Sequence, residues 1–217
     1  MASGADNGAP REGLLIDWGG VLTSNLFASF HAYCVRASID FEELGRRFLT
    51  DQDFRRLLVD LETGRIDESA FEPGLAALLQ VPSEGLIDGL MAAVRPDQAM
   101  IDAVRAARAQ GVRTALVSNS WGVHRYPREL FAEIFDGLVI SGEVGIRKPA
   151  PEMYRLGAER AGVAPEHCVY VDDLPHNLDP AAALGMATIH HTDAAQTIPQ
   201  LERLLGVRLN GADAPST

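Results

Sequence analysis

The stretch "LLIDWGGVLTSN", residues 14–25, decides how this chain is read. A short apolar run, Leu14 to Ile16, follows Gly13 and stops at a carboxylate, Asp17. Such a run bounded by turn residues reads as a buried strand. An acid therefore stands at the strand tip, and the side chains beside it are stripped away at Gly19 and Gly20, with Thr23 just beyond. The rest of the sequence has to say what that acid is for.

No comparable strand follows between Ser24 and Arg95. That region holds helix-like segments: "NLFASFHAYCVRA" (25–37), "DFEELGRRFLT" (40–50), "DQDFRRLLVDLETG" (51–64), "DESAFEPGLAALLQ" (67–80) and "SEGLIDGLMAAV" (83–94). Phe54, Leu57, Leu58 and Leu61 fall at helical spacing. Asp51, Asp67 and Ser83 stand at N-cap positions, and Gly64 suits a helix end. From Pro96 the rhythm changes. Helical stretches alternate with "RTALVSNS" (113–120), "GLVISG" (137–142), "CVYVDD" (168–173) and "MATIHH" (186–191), the pattern of a parallel sheet covered on both faces. The expected fold is α/β: a Rossmann-like five-stranded parallel sheet with helices on both faces, plus a small all-helical cap inserted after the first strand. Core segments 13–23 and 96–208 would flank a cap of 24–95, with a flexible leader (1–12) and tail (209–217).

At 217 residues, 47% hydrophobic and 23% charged, the chain can bury a large core. Its net charge of -11 argues against nucleic acid or an anionic membrane surface as a partner. The leader "MASGADNGAPREG" lacks the basic and apolar regions of a signal peptide, and no apolar run approaches transmembrane length. Cys34 and Cys168 lie far apart with no metal spacing, which fits a reducing cytoplasm. Of 19 basic side chains, all but Lys148 are arginine.

In open parallel sheets ligands bind outside the carboxyl ends of the strands. Those ends offer Asp17, Ser118 and the pair Asp172 and Asp173, with Lys148 just beyond the third strand. Converging carboxylates repel unless a cation sits among them, and Mg²⁺, a hard ion held by oxygens, answers that need. A lysine and a hydroxyl nearby suggest a phosphoryl group, with Lys148 as a point charge and Ser118 plus following backbone N–H groups as donors.

The arrangement resembles the haloacid dehalogenase-like hydrolase superfamily. "LLIDWGGVLT" is similar to its first motif, "ALVSNS" to its second, "GIRKPAPEMY" to its third and "VYVDDLPHNLDPAAALGM" to its fourth, in order over residues 13 to 186. The helical insert is similar to the family's first cap type, and phrases such as "LETGRIDESAF" resemble the branch of sugar-phosphate phosphatases and of the phosphatase domain fused to epoxide hydrolases. The resemblance implies a phosphatase acting on a small phosphorylated metabolite. Asp17 would be the nucleophile and Lys148 its catalytic partner. Ser118 and Asn119 would bind the phosphate. Mg²⁺ would lie between Asp17, the Gly19 carbonyl and Asp172, with Asp173 acting through water or from behind. Family phosphatases usually carry an acid/base Asp two residues after the nucleophile, and here that residue is Gly19. Three readings stay open: substrates whose leaving groups need little protonation, a proton from elsewhere (His31, His124 or His176), or a binding module that does not turn its ligand over. Dehalogenation of 2-haloacids is a further alternative, since it also uses an aspartate nucleophile without the second acid. Trp18 and Trp121 read as site walls or core packing, and His190 and His191 as partly buried structural residues. Oligomeric state is not fixed by the sequence.

Overall fold

A computed structural model describes residues 9–209 of the chain. Five strands, β1 (Gly13–Ile16), β2 (Arg113–Ser118), β3 (Gly137–Ile140), β4 (Cys168–Asp172) and β5 (Ala187–His190), form one sheet in the order β3-β2-β1-β4-β5. All four pairings are parallel. The chain winds outward from β1 to β3, then returns to lay β4 on the other side of β1. The sheet therefore reverses direction beside its central strand, which is where a crevice opens at the carboxyl edge.

Between β1 and β2 lie five helices: α1 (Leu26–Ala37), α2 (Phe41–Thr50), α3 (Gln52–Glu62), α4 (Glu68–Leu79) and α5 (Leu86–Met91). The first four start where a side-chain oxygen satisfies free helix N–H groups: Asn25 takes Ala28, Asp40 takes Glu42 and Glu43, Asp51 takes Asp53 and Phe54, and Asp67 takes Ala70. Each such cap contributes about 1 kcal/mol. Ser83, expected to cap the fifth, does not. Gly85, at φ +70°, turns the chain into a shorter helix with no side-chain cap, and Ser83 supplies only its carbonyl to Leu86 N. The insert has its own apolar core around Phe30, Phe54, Leu61, Phe71 and Leu75, and Trp121 reaches into it from the loop after β2. It is drawn shut at its base: Thr23 pairs with Pro96, Ser24 N donates to Arg95 O at 2.7 Å and Asp97 N to Leu22 O at 2.9 Å.

Six more α-helices follow among the described residues: α6 (Gln98–Ala109), α7 (Arg128–Ile134), α8 (Ser141–Val144), α9 (Pro151–Ala161), α10 (Pro175–Ala183) and α11 (Ala194–Leu205). Strand periodicity sorts them into two layers. Leu14, Ile16, Leu116 and Val171 face a core shared with Met100, Phe131 and Leu201 of α6, α7 and α11. Leu15, Val117 and Tyr170 face one shared with Met153, Tyr154 and Ala181 of α9 and α10. One strand ends earlier than expected. β3 stops at Ile140 because Ser141 turns aside: its hydroxyl accepts from Ser120 N at 2.8 Å and donates to the Glu62 carbonyl. α10 starts at Pro175, with proline at the position where a missing N–H costs nothing.

His190 also differs, being exposed, with Nε2 3.0 Å from the Asp173 carbonyl. His191 is buried, its Nδ1 2.9 Å from Thr197 Oγ1. Cys34 and Cys168 are free and buried. Residues 1–8 and 210–217, most of the expected leader and tail, lie outside the described residues. Arg11 N donates to Leu204 O and Glu12 N to His167 O, so the chain is tied down ahead of β1. Among the described residues no helix is long and apolar enough to cross a membrane.

Candidate active site

Asp17 N donates to Val171 O at 3.0 Å, which extends the β1–β4 ladder by one residue and leaves the carboxylate at the sheet edge. Lys148 Nζ lies 2.9 Å from Asp17 Oδ1 and 2.7 Å from Asp172 Oδ2, with 1% of the residue exposed. Asn119 fixes that lysine from behind: Lys148 N donates to Asn119 Oδ1 at 2.8 Å and Asn119 Nδ2 to Lys148 O at 3.2 Å. Asn119, expected on phosphate, thus has its side chain committed to the Lys148 backbone. Ser118 Oγ is 3.0 Å from Tyr126 OH. Ser118 opens on a smaller cavity that shares Gly19, Leu26, Asn119 and Trp121 with the larger one described below.

The two adjacent acids are differently placed. Asp172 accepts four hydrogen bonds: from Lys148 and the Tyr170 hydroxyl on Oδ2, and from Leu174 N at 2.9 Å and Asn177 Nδ2 at 3.0 Å on Oδ1. Burial works to raise its pKa, yet Lys148, Tyr170 and Asn177 hold it below the usual carboxylate value. Asp173 is half-buried, and burial, then the charge of Asp172, push it up to about 6. Its carboxylate lies where a side chain at Gly20 would fall, and Gly20 has φ +78°. Burial pushes Asp17 up to about 7, against the pull of Lys148 and together with the charges of Asp172 and Asp173. Its donors, Lys148 and Trp18 N at 2.7 Å, both go to Oδ1. Lys148 itself stays protonated: burial alone would lower its pKa, and its two carboxylates raise it.

Asp17, Asp172 and Asp173 each bring an oxygen within 4.8 Å of the others. Three carboxylates face one ammonium, so the cluster lacks positive charge, and its donors are the hard oxygens a Mg²⁺ ion takes. The site suits that ion. The hydrogen-bond inventory alters the expected division of labour, however. Asp172 has its lone pairs engaged by four protein donors, whereas among the described residues the Asp173 carboxylate takes only its own backbone N–H and the donors to Asp17 both go to Oδ1.

In front of Asp17 opens a cavity of about 610 Å³. Core residues Asp17, Gly19, Lys148 and Asp173 form its floor, and the insert forms its wall with Leu26, Phe27, Phe30, Leu44 and Leu58. Trp121, also on this wall, packs against Phe30 and Phe71 at ring-centroid distances of 5.1 and 5.7 Å. Trp18 instead packs edge-on against Phe131 at 4.9 Å. Of the three histidines considered, His176 lines this cavity and is exposed. His31 packs on the ring of Phe41, and His124 Nε2 is 3.0 Å from Glu68. The sequence reading missed four residues of the site. Tyr170, two before Asp172 on one strand, shares its face and was legible by strand alternation. Asn177 was not, being brought in by the turn into α10. Glu62 and Arg147 form the third and fourth. Glu62, on the last turn of α3, is buried in the cavity wall with Oε2 2.6 Å from Arg147 Nε.

The haloacid dehalogenase-like hydrolase family model matches residues 12–185. Bifunctional epoxide hydrolase 2 of Rattus norvegicus is 30% identical over 161 residues, covering 69% of this chain and 29% of that one. Sesquiterpene phosphatase of Aspergillus oryzae is 32% identical over 117 residues, 52% of this chain and 59% of its own. The chain thus spans less than a third of the epoxide hydrolase and over half of the phosphatase. A HAD family enzyme of Bacteroides thetaiotaomicron, solved as a magnesium complex, shares the fold with a TM-score of 0.64 at 22% identity, over 85% of this chain and 94% of that one.

Proposed function

The chain belongs to the haloacid dehalogenase-like hydrolase family, and from that premise we propose that it is a Mg²⁺-dependent phosphatase that cleaves a small phosphorylated metabolite through an aspartyl-phosphate on Asp17. One observation carries this reading. A fully buried ammonium, Lys148, bridges Asp17 and Asp172 on the floor of a cavity large enough for a metabolite. An oxygen of Asp17 attacks phosphorus, the bond from phosphorus to the alcohol oxygen breaks, and water later cleaves the acyl phosphate to restore Asp17. Lys148 favours the ionised form of the nucleophile against its burial and steadies the charge on the transferring group, which is where most of the rate in phosphoryl transfer arises. Asp172 holds Lys148 in place. Asp17, Asp173 and the Gly19 carbonyl would hold Mg²⁺, which when bound neutralises charge on the phosphoryl oxygens. Ser118, at the end of the neighbouring strand β2, would supply a hydroxyl to the phosphoryl group.

The helical insert acts as the cap that walls the cavity. Its apolar residues suit an alcohol with an apolar body, and the likeness to a sesquiterpene phosphatase agrees with that class. The chain's own compartment is proposed to be the cytoplasm. The test is phosphate release from a panel of aryl, sugar, acyl and prenyl phosphates with and without Mg²⁺, with Asp17→Asn as the inactive control. Halide release without metal from a 2-haloacid would make it a dehalogenase. Melting shifts with phosphorylated ligands and no turnover would make it a binding module.

A further inference from the structure

Position 19 offers no proton donor, and the space a side chain would take there is apolar: a Cβ on Gly19 would lie 2.8 Å from Leu26 Cδ1. An ester with an alkyl leaving group nevertheless needs a proton as its oxygen departs, and the second step needs a base for water. Across the same cavity stands one buried carboxylate of the insert. Glu62 is 5% exposed and shares the cavity with Asp17, Gly19 and Lys148.

We propose that Glu62 is a catalytic residue of this site, protonating the departing alcohol oxygen and then taking the proton of the attacking water. The inference rests on the phosphatase reading above. Glu62 is held rigidly for such a task. Its carbonyl accepts from the Ser141 hydroxyl, so the end of α3 is bolted to the end of β3. Two residues on, Gly64 at φ +69° lies so close to the Gly142 carbonyl that a Cβ would fall on it. The carboxylate itself is not saturated. Oε2 is buried and paired with Arg147 Nε at 2.6 Å, and among the described residues no other side chain partners it. The charged groups that face it are Arg147 and Lys148 on the loop after α8 and Asp17 after β1, with Asp173 and His176 across the cavity. Burial pushes Glu62 up to about 7 against Arg147 and Lys148, and Asp17 pushes the same way. A group titrating near neutrality exchanges protons in both directions with small driving force.

The steps balance. In the first, an Asp17 oxygen bonds to phosphorus, the P–O bond to the alcohol breaks, and the Glu62 carboxyl proton goes to that oxygen, leaving free alcohol and Glu62 carboxylate. In the second, water adds to phosphorus while Glu62 accepts its proton, the bond to Asp17 breaks, and inorganic phosphate leaves with both carboxyls restored.

The test is log kcat/KM against leaving-group pKa for wild type, Glu62→Gln and, as a control, His176→Asn, with melting curves for each. Because kcat/KM covers only steps through leaving-group departure, the wild-type slope should be shallow. In E62Q, alkyl phosphates should lose about a hundredfold and aryl phosphates within about twofold. With an aryl phosphate, E62Q should also show a lower kcat and accumulate phosphorylated protein, seen by intact mass. Equal losses for aryl and alkyl esters would reduce Glu62 to a positioning residue acting through Arg147, and no loss, or the same signature in H176N alone, would overturn the proposal. If E62Q does not fold, the wild-type slope decides: a steep one overturns the proposal and a shallow one supports it. Wild type that releases no phosphate from any ester with Mg²⁺ sinks the phosphatase reading itself, and the role of Glu62 with it.

Discussion

At the strand ends the charged groups are tightly partnered, Asp173 apart: Lys148 touches Asp17 and Asp172, Asp172 accepts four hydrogen bonds, and Asn119 grips the lysine backbone. Across the cavity the insert presents aliphatic and aromatic side chains with a single buried acid, Glu62. One side is a preorganised charge array whose geometry tolerates little change. The other is a packed wall that side chains of different shape could form. The contrast teaches that the charge array lies on the core and the apolar surface on the insert, with Glu62 the one buried acid among the described insert residues lining the cavity, and it can be broken in graded steps.

The heaviest blow falls on the core. Asp17→Asn should abolish turnover by a thousandfold or more, about 4 kcal/mol of transition-state stabilisation, for aryl and alkyl esters alike. Phosphate release by a fresh preparation measures it, and near-wild-type rates would place the nucleophile elsewhere.

Metal binding comes next. Mg²⁺ at a hundredfold over its Kd should stabilise the fold by about 2.7 kcal/mol, read as a rise in Tm. The sign of its pH dependence follows from the raised carboxyls. Asp17 and Asp173 are raised from 3.8 to about 7 and about 6, so without metal their stabilising effect is full below the unfolded value and is lost as pH rises through the folded ones. Protons compete with the ion over that same window, and the Tm rise should be larger near pH 8 than near pH 5. Asp173→Asn should remove the shift. Asp172→Asn should instead lower the metal-free Tm, since it leaves Lys148 short of a buried partner. The reverse outcome would restore Asp172 as the direct ligand.

Lys148→Arg should cost roughly tenfold in kcat/KM, about 1.4 kcal/mol, because a planar fork cannot replace a compact ammonium wedged between two carboxylates. Kinetics equal to wild type would remove the lysine from the reaction. The smallest effect belongs to the wall. Leu26→Ala should change kcat/KM for a small aryl phosphate by no more than about twofold while weakening bulky apolar esters by about tenfold, the worth of one or two methylenes. Equal effects on both would erase the division between core and insert.

Much of this was legible in the sequence because strand and helix periodicities are local. The tips of β1, β2 and β4 put Asp17, Ser118 and Asp172 at one edge once the sheet was known to be parallel. Lys148 stood out as the lone lysine. What escaped reading depends on tertiary contact. Glu62 lies four residues after Leu58 on the same helix face, and only the docking of α3 on Ser141 turns that face toward Asp17. Ser83 looked like a cap, but the left-handed Gly85 shifted the helix start past it. The division between Asp172 and Asp173 required counting donors around each carboxylate.

Trp121 belongs to the core chain yet lies between Phe30 and Phe71 of the insert, two residues after Asn119. Arg125, on the same loop, holds Glu68 of α4 through its Nε at 2.8 Å. The insert is therefore stitched to the loop that clamps Lys148, as well as tied at Thr23 and Pro96. An outward displacement of the insert would therefore be felt at Asn119 and, through its grip on the lysine backbone, at the ammonium between the two carboxylates, along one short thread of backbone.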